Sequence, residues 1–299
     1  YSEVLEHLKS YFPSPVSDPI MDGYFVHSIS RFLDQIDGLK SAMPLLGAGA
    51  EQSHYEGSQQ ASFPEACSSV EAMTQLLASY CQGQIIWSHP NAQVNVIPPP
   101  TISSITACIA GAMYNPNIIS DEYSARFAEA EIQAIAMVAD LIGWEPRQAG
   151  GVFTFGGTGT ILYGCKLGIE KALHGKGMSD GIHEPLKIFS SDVSHYSRLN
   201  VAGWLGLGTR QLVAIPSTSN NEISLSALEQ SLRKTLDDGE KIAAIIATLG
   251  TTDAFGIDDL AAIVRLRDEL VQEYALDYKP HIHADAVIGW AWAVFRDYD

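Results

Sequence analysis

Apolar residues recur along this chain at two different periods. From Ser124 onward, Ala128, Ile132, Ile135, Ala139 and Ile142 return at helical spacing and Gly143 follows, which predicts a long amphipathic helix with a glycine terminator. After it, short apolar or β-branched runs alternate with helical stretches. The runs are 152–155, then a helix from about Thr160; 186–189, then a helix near Ser197; 212–215; 242–247, then a helix from Asp258; and 282–287. Continuously apolar strands alternating with helices predict a largely parallel α/β sheet covered on both faces. Ligands in such sheets bind at the carboxyl ends of the strands. Attention therefore falls on residues 156–160, 191–195, 248–252 and the neighbourhood of Asp285, all of them polar, small or ionisable.

The amino-terminal third reads differently. Short helical patterns there are broken by Pro13, Pro15, Pro19, Pro64 and Pro90, and residues 47–62 are rich in Gly, Ala, Ser and Gln. Pro98, Pro99 and Pro100 close off the apolar run at 94–97, because each proline fixes φ and removes a donor. The expected organisation is a helix-rich segment over 1–100 and a large domain over 101–299.

Composition narrows the functions available. With 46% hydrophobic residues in 299, the chain can bury a large core. Its formal charge of −17, from 18 basic and 35 acidic side chains, repels phosphate backbones and anionic membrane surfaces, so nucleic acid and membrane are not expected partners. No run approaches the roughly 18 apolar residues of a membrane span, and no basic-then-apolar leader opens the sequence. Cys67, Cys81, Cys108 and Cys165 lie far apart without a C-x-x-C pair, which favours reduced thiols and a cytoplasmic location over zinc or a disulfide framework. The first residue is Tyr1, and residues preceding it are expected.

Four places can carry chemistry. Gly156, Gly157, Thr158, Gly159 and Thr160 stand between a predicted strand and a helix with the apolar stripe Ile161, Cys165, Ile169 and Ala172, so free N–H groups crown a helix N-terminus suited to phosphate. Leu162 stands where a dinucleotide fingerprint needs its third glycine, and no G-K-[ST] follows for a P-loop. Asp285, between Ala284 and Ala286, closes a strand; a buried carboxylate there needs a cationic partner, of which a protonated pyridine nitrogen is one. An isolated strand-end aspartate more commonly caps a turn. His195, behind Ser191 and Asp192, can stack on a ring or move protons, although a lone histidine is more often structural. Thr248, Thr251 and Thr252 offer hydroxyls beside Gly250, or simply serve its turn. His281 and His283 point the same way from one strand, but no third ligand accompanies them, so no metal is assigned.

Taken in order, the segments G-V-F-T-F-G-G-T at 151–158, S-D-V-S-H at 191–195, A-T-L-G-T-T at 247–252 with Asp258, and H-A-D-A at 283–286 resemble the group II pyridoxal-phosphate-dependent amino-acid decarboxylases. His89, Pro90, Asn115, Pro116, Asn117, Ser124 and Glu131 resemble the stretch that precedes them. The resemblance implies the fold-type I, aspartate aminotransferase-like architecture. That is a large α/β domain with a mostly parallel seven-stranded sheet, a helical N-terminal segment before it and a small C-terminal domain beyond this chain. It implies pyridoxal 5'-phosphate as cofactor and a homodimer with shared active sites. Gly157, Thr158 and Gly159 would cradle the phosphate, His195 would stack on the ring, Thr248 would contact the cofactor and Asp285 would pair with the pyridine nitrogen. Two departures stand out: Gly159, Thr160 and Ile161 replace the family's Glu-Ser-Asn, and Val287 replaces an alanine beside the ring's face.

The cofactor-binding lysine of the family lies downstream of its aspartate, and none of Lys166, Lys171, Lys176, Lys187, Lys234, Lys241 or Lys279 stands in a matching context. The working enzyme is therefore expected to continue past Asp299 or to be completed by a second chain. The expected reaction converts an L-amino acid to its amine and carbon dioxide. A carbon–carbon lyase acting on a phosphorylated amino alcohol, an aminotransferase, or a non-catalytic dimerisation module of the same fold are the alternatives.

Overall fold

The protein is described by a computed structural model over residues 2–9, 11–47, 55–93 and 97–295. The predicted run at 94–97, Ile97 apart, and residues 48–54 of the Gly/Ala/Ser/Gln passage lie outside the described residues. The chain divides into two compact units, Tyr1–Pro116 and Asn117–Asp299.

The first unit is helical: α1 (Ser2–Lys9), α2 (Pro19–Leu39), α3 (Val70–Tyr80) and α4 (Ile102–Tyr114), with a single turn at Tyr55–Ser58. Local chemistry sets the starts. Asp18 accepts from the N–H groups of Ile20 and Met21 at 3.0 and 3.2 Å with Pro19 at the first helical position, and Ser69 and Thr101 cap α3 and α4 in the same way. Helices α2 and α3 pack on each other, yet Ala78 is the only buried hydrophobic residue of this unit among the described residues.

After a single turn at Asp121–Ser124, the second unit continues with α5 (Phe127–Leu141), which ends as its sequence predicts. Gly143 takes φ +79°, and the N–H of Trp144 reaches back to the carbonyl of Ala139 at 2.8 Å, a left-handed cap that only glycine adopts without strain. Then follow α6 (Gly157–Ala172), β1 (Leu186–Ser191), α7 (Ser197–Trp204), β2 (Leu212–Ile215), α8 (Leu225–Asp237), β3 (Lys241–Thr248), α9 (Leu260–Glu273) and β4 (His281–Asp285).

The four strands form one parallel sheet in the order β2-β1-β3-β4. Its faces are covered by different helices. On one, Ile161, Cys165, Ile169 and Ala172 of α6 and Val201 of α7 pack against Leu186, Ile188, Ala244 and Ile246. On the other, Leu228 and Leu232 of α8 and Ile263, Leu266 and Leu270 of α9 pack against Phe189, Ile215, Ile242 and Ile245. Strand β3 is buried on both sides, which is why it reads as an uninterrupted apolar run. The chain leaves β1 toward β2 and later returns to β1's other side as β3. The carboxyl ends of β1 and β3 thus form the switch point at which such sheets open a crevice.

Three expectations need correction. The run at 152–155 is not a strand: it leads into α6 as irregular chain with Val152, Phe153 and Phe155 exposed, because no strand among the described residues lies beside it. The sheet has four strands among the described residues, where the resemblance implies seven for the family's whole large domain, of which this chain was expected to carry only part. The helix expected from Asp258 begins at Leu260, capped by Asp259, because the Asp258 carboxylate is engaged elsewhere. Helix α8 is an addition to the predicted alternation.

Candidate active site

The four polar segments picked out by sequence converge at one end of the second unit. At the start of α6, Gly156 adopts φ +101°, and the N–H groups of Gly157 and Thr158 have no acceptor among the described residues. They are the open donors of a helix N-terminus. Gly159 must lack a side chain, since a Cβ there would lie 2.8 Å from the Thr154 side chain. A Cβ on Gly157 would meet the Val287 side chain at 3.0 Å, so this helix start and the turn after β4 are in close apposition.

At the switch point, Ser194 and Thr248 share a buried hydroxyl–hydroxyl hydrogen bond of 2.7 Å that joins the turn after β1 to the end of β3. Thr248 is fixed a second time by Asp258. One carboxylate oxygen accepts from the Thr248 N–H and the other from the Ile223 N–H, both at 2.7 Å. Burial pushes the Asp258 pKa up and the two N–H bonds pull against it. Arg198 clamps the same turn by donating to the carbonyls of Ser194 and Asp192.

His195 lies half-buried beside this junction. Its Nδ1 accepts from the Ser197 N–H at 3.2 Å and is 2.8 Å from the Ser197 hydroxyl, which places the proton of the neutral ring on Nε2. The Tyr196 ring covers one side at a centroid distance of 4.3 Å.

Asp285 ends β4 directly opposite Thr248 and is 8% exposed. Its carboxylate takes one long bond, 3.5 Å, from the Val287 N–H. Strand alternation puts His281 and His283 on the same face, toward α6, while Ile282 packs into the opposite cluster. His281 Nδ1 faces the Lys171 ammonium at 3.3 Å; burial first, then that charge, lowers its pKa to about 4. Burial also lowers the pKa of His283. No group of three or more His, Cys, Asp or Glu among the described residues could hold a metal ion.

The lysines stand elsewhere. Lys166, Lys187, Lys234, Lys241 and Lys279 pair with Glu170, Glu240, Asp238, Glu184 and Asp268, and Lys171 faces His281. An apolar hollow along α5, lined by Ile135, Trp144, Gly151 and Phe153 among others, contains no titratable side chain and none of the strand-end residues.

The conserved-domain model of the pyridoxal-dependent decarboxylases matches residues 57–295. The chain belongs to this family. L-2,4-diaminobutyrate decarboxylase of Acinetobacter baumannii is 28% identical over 224 residues, covering 70% of this chain and 42% of that protein. L-tyrosine decarboxylase of Levilactobacillus brevis is 34% identical over 106 residues, 35% of this chain and 16% of that protein. The glutamate decarboxylase domain of a Vibrio parahaemolyticus protein superposes with a TM-score of 0.83 at 20% identity, over 98% of this chain and 63% of that one. The fold is thus fold-type I, and the chain spans less than half the length of the Acinetobacter relative.

The residues present fit the cofactor after which the pyridoxal-dependent decarboxylases are named. Two unused N–H donors at a helix start suit a phosphate, and a buried carboxylate with a single long bond suits a cationic ring nitrogen. The Gly157–Val287 apposition keeps the two features within one crevice. Ser194, Ser197 and Asp258 are supporting residues that sequence reasoning gave no role. Asp258 is signalled by following the A-T-L-G-T-T segment, whereas Ser194 meets Thr248 only through the fold.

Proposed function

We propose that the whole protein to which this chain belongs removes the α-carboxylate of an L-amino acid as carbon dioxide, using pyridoxal 5'-phosphate. When bound, that cofactor acts as an electron sink for the pair left on the substrate carbon. The N–H groups of Gly157 and Thr158, with Gly159 behind them, would receive the phosphate. Asp285 would hold the proton on the ring nitrogen, Thr248 would contact the cofactor from the end of β3, Val287 would border the ring and His195 would stack on it. With its proton on Nε2, His195 can also hand a proton to a carbon or carboxylate brought beside it. The single observation that carries this reading is Asp285, a nearly unpartnered buried carboxylate two residues before Val287, which lies against the open start of α6.

The lysine that binds the cofactor aldehyde belongs to the remainder of the whole protein, in the same polypeptide or in a second one. A homodimer is supported by the apolar faces that the first unit leaves exposed. A cytoplasmic location is supported by four unpaired cysteines and by the lack of any helix, among the described residues, long and apolar enough to cross a membrane.

The test uses the full-length protein, titrated with pyridoxal phosphate and followed by visible absorbance. Asp285→Ala should cost about 2 to 5 kcal/mol of cofactor binding by stranding the ring's charge. A panel of L-amino acids that includes L-2,4-diaminobutyrate and L-tyrosine should yield carbon dioxide and amine in equal amounts. Aldehyde or keto acid as the main product would move the assignment to the lyase or aminotransferase reading, and a full-length protein that binds no cofactor would end it.

A further inference from the structure

The strand that carries Asp285 also carries a side chain the assignments above leave unused. His283 stands two residues before Asp285 on the same face of β4, beneath α6. The helix is cut away to receive it: a Cβ on Gly164 would lie 2.8 Å from the His283 ring carbon Cγ, so glycine at 164 makes room for the imidazole. Its Nε2 is fully buried without a hydrogen-bond partner. An orphaned buried ring nitrogen is costly, and is uncommon where nothing uses it.

The surroundings restrict what it serves. Around it stand Asp285 and His281 on its own strand, Ile246 beside it on β3, and Gly164 on α6; Lys171 of α6 is taken up with His281. Asp285 is the carboxylate two residues along on the same face of β4, and it has acceptor capacity to spare. Burial disfavours the His283 imidazolium while the Asp285 charge works the other way, and the neutral ring brings one N–H without a second charge.

We propose that His283 is a positioning residue for Asp285, its buried neutral imidazole supporting the carboxylate from beneath α6 so that the anion is held for the cofactor's ring nitrogen. The inference rests on the assignment of Asp285 to that nitrogen. Gly164 is then part of the same device, as the notch that keeps the imidazole in place.

The experiment uses full-length protein loaded with pyridoxal phosphate labelled with nitrogen-15 in the ring, reading cofactor affinity and the pH at which that nitrogen loses its proton. His283→Leu should weaken affinity on the order of tenfold, as loss of outer supporting partners commonly does, and lower the pH of deprotonation. His283→Gln, which retains an N–H, should restore much of both, and Gly164→Ala should imitate the leucine variant by displacing the ring. In an Asp285→Ala background, His283→Leu should add nothing. Equal affinity and equal nitrogen titration in parent and His283→Leu, or a loss that adds in full to that of Asp285→Ala, would overturn the inference while leaving the Asp285 assignment intact. An unprotonated ring nitrogen in the parent, or an Asp285→Ala protein that binds as the parent does, would remove that assignment and this inference with it. Should His283→Leu fail to fold, the glutamine and Gly164→Ala proteins carry the same comparison.

Discussion

Asp258 shows how one buried side chain can fix a site without touching its chemistry. Both of its oxygens accept backbone N–H groups at 2.7 Å, one from Thr248 at the end of β3 and one from Ile223 ahead of α8. The carboxylate is suited to this because it accepts on both oxygens, whereas an amide must turn its NH2 toward one of the two donors. Asp258→Asn is therefore expected to cost about 1 to 3 kcal/mol despite equal size, read as a lower denaturant midpoint with an unchanged slope. It should also loosen the Ser194–Thr248 link, so cofactor affinity should fall with stability. A variant with parental stability would show that the two N–H groups find other acceptors.

At the scale of elements, β4 is a strand with a titratable face. His281 and His283 both have pKa values below the ordinary histidine value of 6.5, His281 at about 4, with burial as the leading cause. The unfolded chain takes up these protons first as the solution is acidified. Stability from the neutral imidazoles is thus fully present above pH 6.5 and is lost as the pH falls toward 4. Thermal melts between pH 7 and pH 4 should show this slope. In His281→Gln, which keeps a polar side chain beside Lys171 but cannot titrate, the slope should flatten; an unchanged slope would mean that His281 takes up its proton equally in the folded and unfolded protein.

Legibility in the sequence followed the same division between local and distant causes. The stripe Ile161, Cys165, Ile169 and Ala172 gave the buried face of α6, because helical spacing is a property of the segment itself. Leu225, Leu228, Leu232 and Leu236 behind the cap Ser224 carry the same signal for α8, diluted by its many charged and polar residues. Residues 152–155 have strand composition but no strand beside them, and pairing is not a local property. The positions of Asp285 and His195 at strand ends were readable from apolar runs. The notch at Gly164 was not, since it exists only once α6 lies across β4.

For the whole molecule, the two units differ most in what they bury. The second closes two apolar clusters around its sheet, whereas among the described residues of the first, Ala78 alone is a buried hydrophobic and Ile20, Phe63 and Ile102 are 82%, 98% and 86% exposed. A helical unit with so small a core does not offset the entropy of ordering its chain unaided, so its apolar faces call for a covering surface. A net charge of −17 makes a like-charged partner costly unless the contact is apolar and large, as obligate homodimer interfaces are. Ile102 on α4 offers a clean discrimination. On a surface that stays in solvent, Ile102→Asp should change stability by no more than about 0.5 kcal/mol and leave sedimentation unaltered. On a face shared by two copies, it should shift the full-length protein from dimer toward monomer at micromolar concentration and weaken cofactor binding in step, because sites shared between subunits are lost with the interface. Sedimentation velocity of parent and variant across a dilution series separates the two outcomes, and a parent that is monomeric throughout would remove the shared-site dimer from the proposed function.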